Sequence, residues 1–469
     1  MLLRALLPFL STLPVAFAAK SNGDMTSINS RVESGLGTST VSITQYSSLA
    51  VIKVSIVHVT LKHWLVFRQS MPNAYIFVNK KDDSVTVQRY IVRIPNGVFT
   101  RQITIESGDV NADFSGNTYS KYYTGLKYGR TIDYDYVGYT KSGAGIFMIR
   151  CNRGGGVDLY DIYWYSMGHT DPMRYVLHGY STLAFTNGGV PASSLFAKNT
   201  DTTWVNNLGI DGWVPTSGRG SVAAVRIKNM KSGFQYVAGL SNTNAQYWSV
   251  ADSRFGYFKI KDVLPGTYTL TIYKGEREVA TQSVTVTAGN ALALNSITPK
   301  DSQDTAFIWR IGDWYGTPKG FLNFEDTPTK PTYMHPSDSR LNGYLWQDIN
   351  NDHLIYFRLT AAQIASSATL RIGMTEGFIG GRPMVSINSW TPSLTPAQTQ
   401  GGTRSLNVGT YRGNNKLLTW TVPVSAWLTS TSDWQILKLS VITGSTGSGY
   451  LSGGVSIYAI DFDSEIVLS

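Results

Sequence analysis

Four short stretches carry residue types able to do chemistry. QRYIVRI (88–94) places Arg89 and Arg93 four apart, on one face of any strand, with Tyr90, Val92 and Ile94 on the other. Two guanidiniums so placed suit a carboxylate gripped by paired N–H donors, and an ordinary solvent-facing strand has the same pattern. YSKYY (119–123) sets Lys121 among tyrosines. Rings and a nearby arginine would disfavour its ammonium form and make it a usable base, although most strand lysines snorkel to solvent instead. YWYSMGHTD (163–171) puts His169 in a Gly-His turn just past an aromatic ladder. A histidine there suits acid or base work, and a lone histidine is more commonly structural. TIDYDY (131–136) aligns Asp133 and Asp135 on one strand face, as a carboxylate pair, a cation site or, more often, a solvated surface. The phosphate-binding loop, H-E-x-x-H, G-x-S-x-G and Cys-rich metal patterns are absent.

These stretches need elements to hold them. At 469 residues the chain is long enough for two or three domains with separate cores. The 45 glycines, 12% aromatic and only 15% charged residues fit an all-β protein with many turns better than a helical bundle. Residues 20–214 alternate in long segments such as VTVQRYIVRI (85–94), parted by turn-like PNG, NKKDD and RGGG, which predicts a large antiparallel sandwich. Residues 215–298 include DVLPGTYTLTIYKGE (262–276) and ATQSVTVTAG (280–289), the pattern of a small fibronectin- or immunoglobulin-like module. Residues 299–469, with ATLRIGM (368–374) and KLLTWTVPV (416–424), suit a carbohydrate-binding-like jelly roll.

Residues 1–18 have the three-part form of a secretory signal: Arg4, an apolar run over 5–17, and a small-x-small site that predicts cleavage before residue 19. The expected location is therefore extracellular. No later run reaches the roughly 18 apolar residues a membrane span needs. Cys151 is the single cysteine, so no disulfide forms within the chain. A net charge of +9 favours an anionic partner. Export and the scatter of the basic residues point to an acidic polysaccharide rather than to nucleic acid or a membrane.

Eleven collinear segments extend this reading: SGLGTSTV (34–41), QRYIVRI (88–94), YSKYY (119–123), YWYSMGH (163–169), RYVLHG (174–179), SGRGSV (217–222), NAQYW (244–248), LPGTYTLTIYKGE (264–276), IGDWYGTPKGF (311–321), MHPSDSR (334–340) and TLRIGMTEGFIGGRPMVSIN (369–388). In order and content they resemble the fungal-type rhamnogalacturonan endolyases of polysaccharide lyase family 4, across nearly the whole chain after residue 18. The resemblance implies a galactose-mutarotase-like catalytic sandwich, a fibronectin-like module and a carbohydrate-binding jelly roll. It implies β-elimination at the rhamnose-α-1,4-galacturonate bonds of rhamnogalacturonan I in pectin. Carried over by motif, the proton-abstracting lysine falls on Lys121, the catalytic histidine on His169 and the carboxylate-facing arginine on Arg89. Tyr163 and Tyr165 correspond to the family's active-site tyrosines. No cofactor is required for that chemistry, with room for a structural calcium, and a monomer is expected.

The chain departs from the family pattern in three places. Residues 24–28 follow almost directly on the expected cleavage site, which predicts a shortened first sheet. The spacer between Tyr-Trp-Tyr and Gly-His is one residue shorter, only Ser166 and Met167. The cysteines that crosslink fungal relatives have no counterparts. A non-catalytic pectin-binding protein on the same scaffold is the alternative, disfavoured because a binding module has no need of a base, an acid and a carboxylate clamp together. A glycoside hydrolase would require a placed pair of carboxylates.

Overall fold

The computed structural model describes residues 16–18, 32–33, 39–58, 61–80, 88–89, 91–93, 101–103, 136–149, 166–167, 177–196, 201–275, 277–301, 305–314, 353–377, 382–396, 416–442 and 455–463. The multidomain all-β architecture expected from the sequence is what is found. Apolar and polar residues alternate along many of the strands, so that rows of side chains are buried between layers.

The first unit is built on an eight-stranded antiparallel sheet. Its order is Thr40–Tyr46, Val51–Val57, Leu61–Arg68, Asn73–Lys80, Leu177–Thr186, Ala144–Ile149, Tyr136–Lys141 and Arg101–Ile103. The first four strands form a meander, since short turns such as the one at 69–72 permit only neighbouring antiparallel partners. One face carries Val51, Trp64, Val66, Tyr75, Phe77 and Tyr180, which Trp204, Val205, Leu208 and Ile210 of the following segment cover. The opposite face carries Leu61, Ile76, Val78, Ile146 and Leu183. Two small sheets belong to this unit as well. Ala16–Ala18 pairs in parallel with Val32–Glu33 and antiparallel with Ile91–Arg93, so the end of the expected leader lies in a sheet in the uncleaved chain. Gln88–Arg89 pairs with Ser166–Met167.

The middle unit is a seven-stranded sandwich. Phe258–Val263, Gly220–Ala224 and Ala291–Leu294 form one sheet, with the first and last strands of the unit parallel. Gln246–Val250, Tyr236–Ser241, Gly266–Lys274 and Arg277–Val286 form the other. Val222, Phe258, Ile260, Leu240, Leu270 and Ile272 fill the space between them.

The third unit stacks a four-stranded sheet on a three-stranded one. The larger runs Phe307–Gly312, Val455–Asp463, Ala368–Gly377 and Lys416–Val422. The smaller runs His353–Phe357, Gln435–Ile442 and Arg382–Ile387. Leu370, Ile372, Met374, Phe462, Ile387, Leu437 and Leu439 close the core. A short helix, Ala361–Ile364, is held by a capping box in which the Thr360 hydroxyl accepts from Gln363 N–H and the Gln363 side chain accepts from Thr360 N–H.

Candidate active site

The strand expected to grip a carboxylate is divided between two partners. Ile91–Arg93 takes Ala16–Ala18, with Arg93 across from Ala16. Gln88–Arg89 takes Ser166–Met167, with Arg89 across from Ser166 and Gln88 across from Met167. Residues opposed in an antiparallel pair stand with their Cα atoms about 5 Å apart. The paired dipeptide is the shortened spacer of the aromatic-histidine motif. Tyr165 therefore immediately precedes, and Gly168 and His169 immediately follow, a segment hydrogen-bonded beside Arg89. Lys121, Tyr163, Tyr165 and His169 lie outside the described residues, as do Asp133, Asp135 and residues 24–28.

The eight-stranded sheet carries polar contacts that the sequence reading does not single out. Lys53, buried on the Trp64 face, donates from Nζ to the Leu208 carbonyl at 2.5 Å and lies 5.4 Å from the Tyr46 ring centroid. Tyr46 donates its hydroxyl to the same carbonyl at 2.9 Å. Lys62 pairs with the Asp211 carboxylate, and Asn79 Nδ2 donates to the Asp211 carbonyl at 3.0 Å. These contacts fasten the 201–213 segment over its hydrophobic patch. In this arrangement Lys53 is a donor in a pin. The alternation in VIKVSIV, which puts Lys53 in line with the buried Val51, was the available signal.

His63 sits on the other face, in register with Ile56 and Val78. Its Nε2 is buried and has no hydrogen-bond partner among the described residues. Burial depresses the imidazole pKa from 6.5 to about 4, because the charged form loses its hydration with no anion in compensation. The ring is neutral at neutral pH. A lone histidine at a core-facing position of KHWLVFR gave little warning of this.

A second polar centre lies in the third unit. Arg371 grips Asp461 with two prongs, Nε to Oδ1 at 2.7 Å and Nη2 to Oδ2 at 2.8 Å. Oδ2 also accepts from Arg310 Nε at 2.8 Å and from Trp314 Nε1 at 3.0 Å. Arg371 Nη1 reaches Thr305 at 2.7 Å and Asp463 at 3.0 Å. The Trp314 ring lies 5.5 Å from the Arg371 guanidinium and 5.8 Å from that of Arg277, a residue of the middle unit. Arg277 and Lys274 both pair with Asp301. The Arg277–Trp314 contact joins the third unit to the middle one, and the buried Asp461 carboxylate is occupied by donors from Arg371, Arg310 and Trp314. Among the described residues no group of three or more His, Cys, Asp or Glu side chains is placed to hold a metal ion, and none of their helices is long and apolar enough to cross a membrane.

Comparison with known proteins covers all three units. Residues 16–212 match the family described as rhamnogalacturonan lyase B, N-terminal. Residues 214–294 match polysaccharide lyase family 4, domain II, and residues 307–462 match domain III of the same family. The probable rhamnogalacturonate lyase A of Aspergillus clavatus is 32% identical, over 94% of this chain and 91% of its own. Rhamnogalacturonate lyase A of Emericella nidulans is 31% identical over 96% and 92%, and that of Aspergillus aculeatus 32% over 90% and 85%. Among solved structures, the Bacillus anthracis TIE protein covers 96% of this chain and 55% of its own at 6% identity and a TM-score of 0.16, a likeness too low to bear on the fold.

Proposed function

This chain belongs to polysaccharide lyase family 4, as a rhamnogalacturonan lyase of the fungal type, and from that membership we propose how it breaks the rhamnose-galacturonate backbone of pectin. Lys121 takes the C5 proton of galacturonate, the C4–O4 bond breaks, and a C4=C5 double bond forms. The departing O4 takes a proton from His169. No water is consumed. Arg89 faces the neighbouring carboxylate and neutralises it, so that the charge released at C5 delocalises into a stabilised enolate-like intermediate. The same guanidinium lowers the Lys121 pKa and enlarges its neutral, proton-accepting fraction. Tyr163 and Tyr165 pack against sugar faces. The reaction draws on side chains alone, and we place the protein outside the cell, exported by its leader and acting as a monomer on rhamnogalacturonan I.

The observation that supports this reading is the backbone register of Arg89 with Ser166. It pairs Arg89 with Ser166, which stands three residues before His169 in the chain. The test is the ultraviolet absorbance of the conjugated product as purified protein meets rhamnogalacturonan, with homogalacturonan and Lys121→Ala as controls. Absorbance should rise on rhamnogalacturonan alone and fall by about a hundredfold or more in the variant. A folded Lys121→Ala protein with wild-type rate would remove lysine from the role of base.

A further inference from the structure

In the middle unit, burial alternates along residues 257–261. Phe258 and Ile260 enter the core, while Tyr257, Lys259 and Lys261 are exposed on the outward face of the sheet. The neighbouring strand sets the small Ala223 across from Lys259, and Val225, just beyond its end, is 66% exposed. Ile227 donates its N–H to the Gly256 carbonyl at 2.9 Å. That bond brings Phe255 and Tyr257, which flank Gly256, beside Arg226 and Lys228, which flank Ile227. Phe255 is 62% and Tyr257 47% exposed, and the Arg254 guanidinium lies 4.8 Å from the Phe255 ring centroid. Two carboxylates belong to the same stretches. Asp252 accepts at Oδ1 from the Arg254 and Phe255 N–H groups, at 3.0 and 2.6 Å, and is thereby engaged within its own loop. Asp262, half-buried, takes a φ of +57° and breaks the alternation after Lys261. Over 220–228, 252–263 and 291–294, five cations stand against these two carboxylates.

A single exposed ring or lysine is ordinary; rings and cations gathered on one face mark an interaction surface. Residues i and i+2 of a strand stand about 7 Å apart on the same side, so Tyr257, Lys259 and Lys261 form a line. An extended polyanion with flat faces matches it. Sugar rings can lie on Tyr257 and Phe255 while carboxylates meet the ammonium and guanidinium groups. Cations so closely spaced favour a polymer with a carboxylate on every sugar over one in which charged and neutral sugars alternate.

We propose that this outward face of the middle unit binds a polyuronate of the homogalacturonan type, with Tyr257 and Phe255 under its rings and Arg226, Lys259 and Lys261 at its carboxylates. The choice of a pectic polymer rests on the lyase reading above. The chain held here is not the one cleaved in the first unit. It keeps the enzyme within a polymer mixture that also contains the substrate.

Affinity electrophoresis of the full chain in gels containing unesterified homogalacturonan, its fully methyl-esterified form or no polymer tests the assignment. Retardation is expected in the unesterified polymer alone, since the ester keeps the rings and loses the charge. Tyr257→Ala, which leaves the net charge of +9 unchanged, should weaken it by roughly tenfold. Lys259→Glu combined with Lys261→Glu should weaken it further and flatten its salt dependence. All three side chains are exposed, and melting midpoints equal to wild type verify folding. Wild-type retardation in Tyr257→Ala would reduce the attraction to net charge and overturn the proposal. So would wild-type retardation in the double lysine variant, equal retardation in the esterified polymer, or none in the unesterified one. Formation of unsaturated product from soluble rhamnogalacturonan is read separately. Product without retardation defeats the binding face alone, and retardation without product defeats the lyase reading and leaves the face standing.

Discussion

Arg89 stands across from Ser166, and Gln88 across from Met167, in an antiparallel pair. Proline is a poor occupant of a paired position because it lacks an N–H and crowds its neighbour. Ser166→Pro is expected to lower lyase turnover by roughly a hundredfold through misplacement of the flanking aromatic and histidine segments, while Ser166→Ala stays near wild type. Initial rates on rhamnogalacturonan, with melting curves as the folding control, provide the comparison. Equal rates in the two variants would show that the pair does not position the site.

The carboxylate of Asp461 is completely buried and accepts from Arg371, Arg310 and Trp314. Asp461→Asn removes the negative charge shared by Arg371 and Arg310 and leaves the buried Arg371 guanidinium with Asp463 as its remaining carboxylate partner. The expected loss is about 3 to 5 kcal/mol. Denaturant unfolding followed by tryptophan fluorescence reads it, and a loss under about 1 kcal/mol, the range of an exposed ion pair, would refute the argument.

His63 links stability to pH. Its folded-state pKa, about 4, lies below the ordinary 6.5. The unfolded chain therefore binds a proton near pH 6.5 that the folded chain refuses until about pH 4, and the stability present above that window is lost as pH falls through it. The full span corresponds to about 3 kcal/mol. His63→Leu should flatten the decline in unfolding free energy between pH 6.5 and 4 relative to wild type. Parallel curves for the two proteins would mean that the imidazole takes up its proton in the native state.

Gly256 closes a loop of the middle unit with φ at +70°. Its carbonyl accepts from Ile227 N–H at 2.9 Å, and a Cβ there would stand 2.6 Å from the Ile227 backbone nitrogen. Backbone cannot step aside as a flexible side chain would. Gly256→Ala is expected to cost about 2 kcal/mol or more, from left-handed strain and the clash together. Thermal unfolding decides it, and a midpoint unchanged from wild type would contradict the geometry.

Much of this was legible in the chain itself. Period-two alternation in KLLTWTV and GTYTLTIYK marks strands wherever they pack, and turn residues between such runs mark antiparallel neighbours. The all-β class followed from those local signals. For Arg89, Lys121, Tyr163, Tyr165 and His169 the sequence offers short stretches whose order and content resemble one family, and of these five the described residues include Arg89 alone.

Other features depended on distant partners. Lys53 and His63 lie on adjacent strands with similar alternation, yet one pins a covering segment through a carbonyl and the other is buried without a partner among the described residues. The difference arises from which layer each face meets. Arg371 and Asp461 are 90 positions apart and become a bonded pair through the register of two strands in one sheet. Alternation assigned Leu354 and Tyr356 to one side of a strand, but strand order decided that Trp434 and Arg358 would join them on an outward face. Sequence determined which residues share a face, since that depends on the local twofold repeat of a strand. Only the tertiary structure decided what each face meets, because pairing and layer order are long-range choices made by the whole core at once.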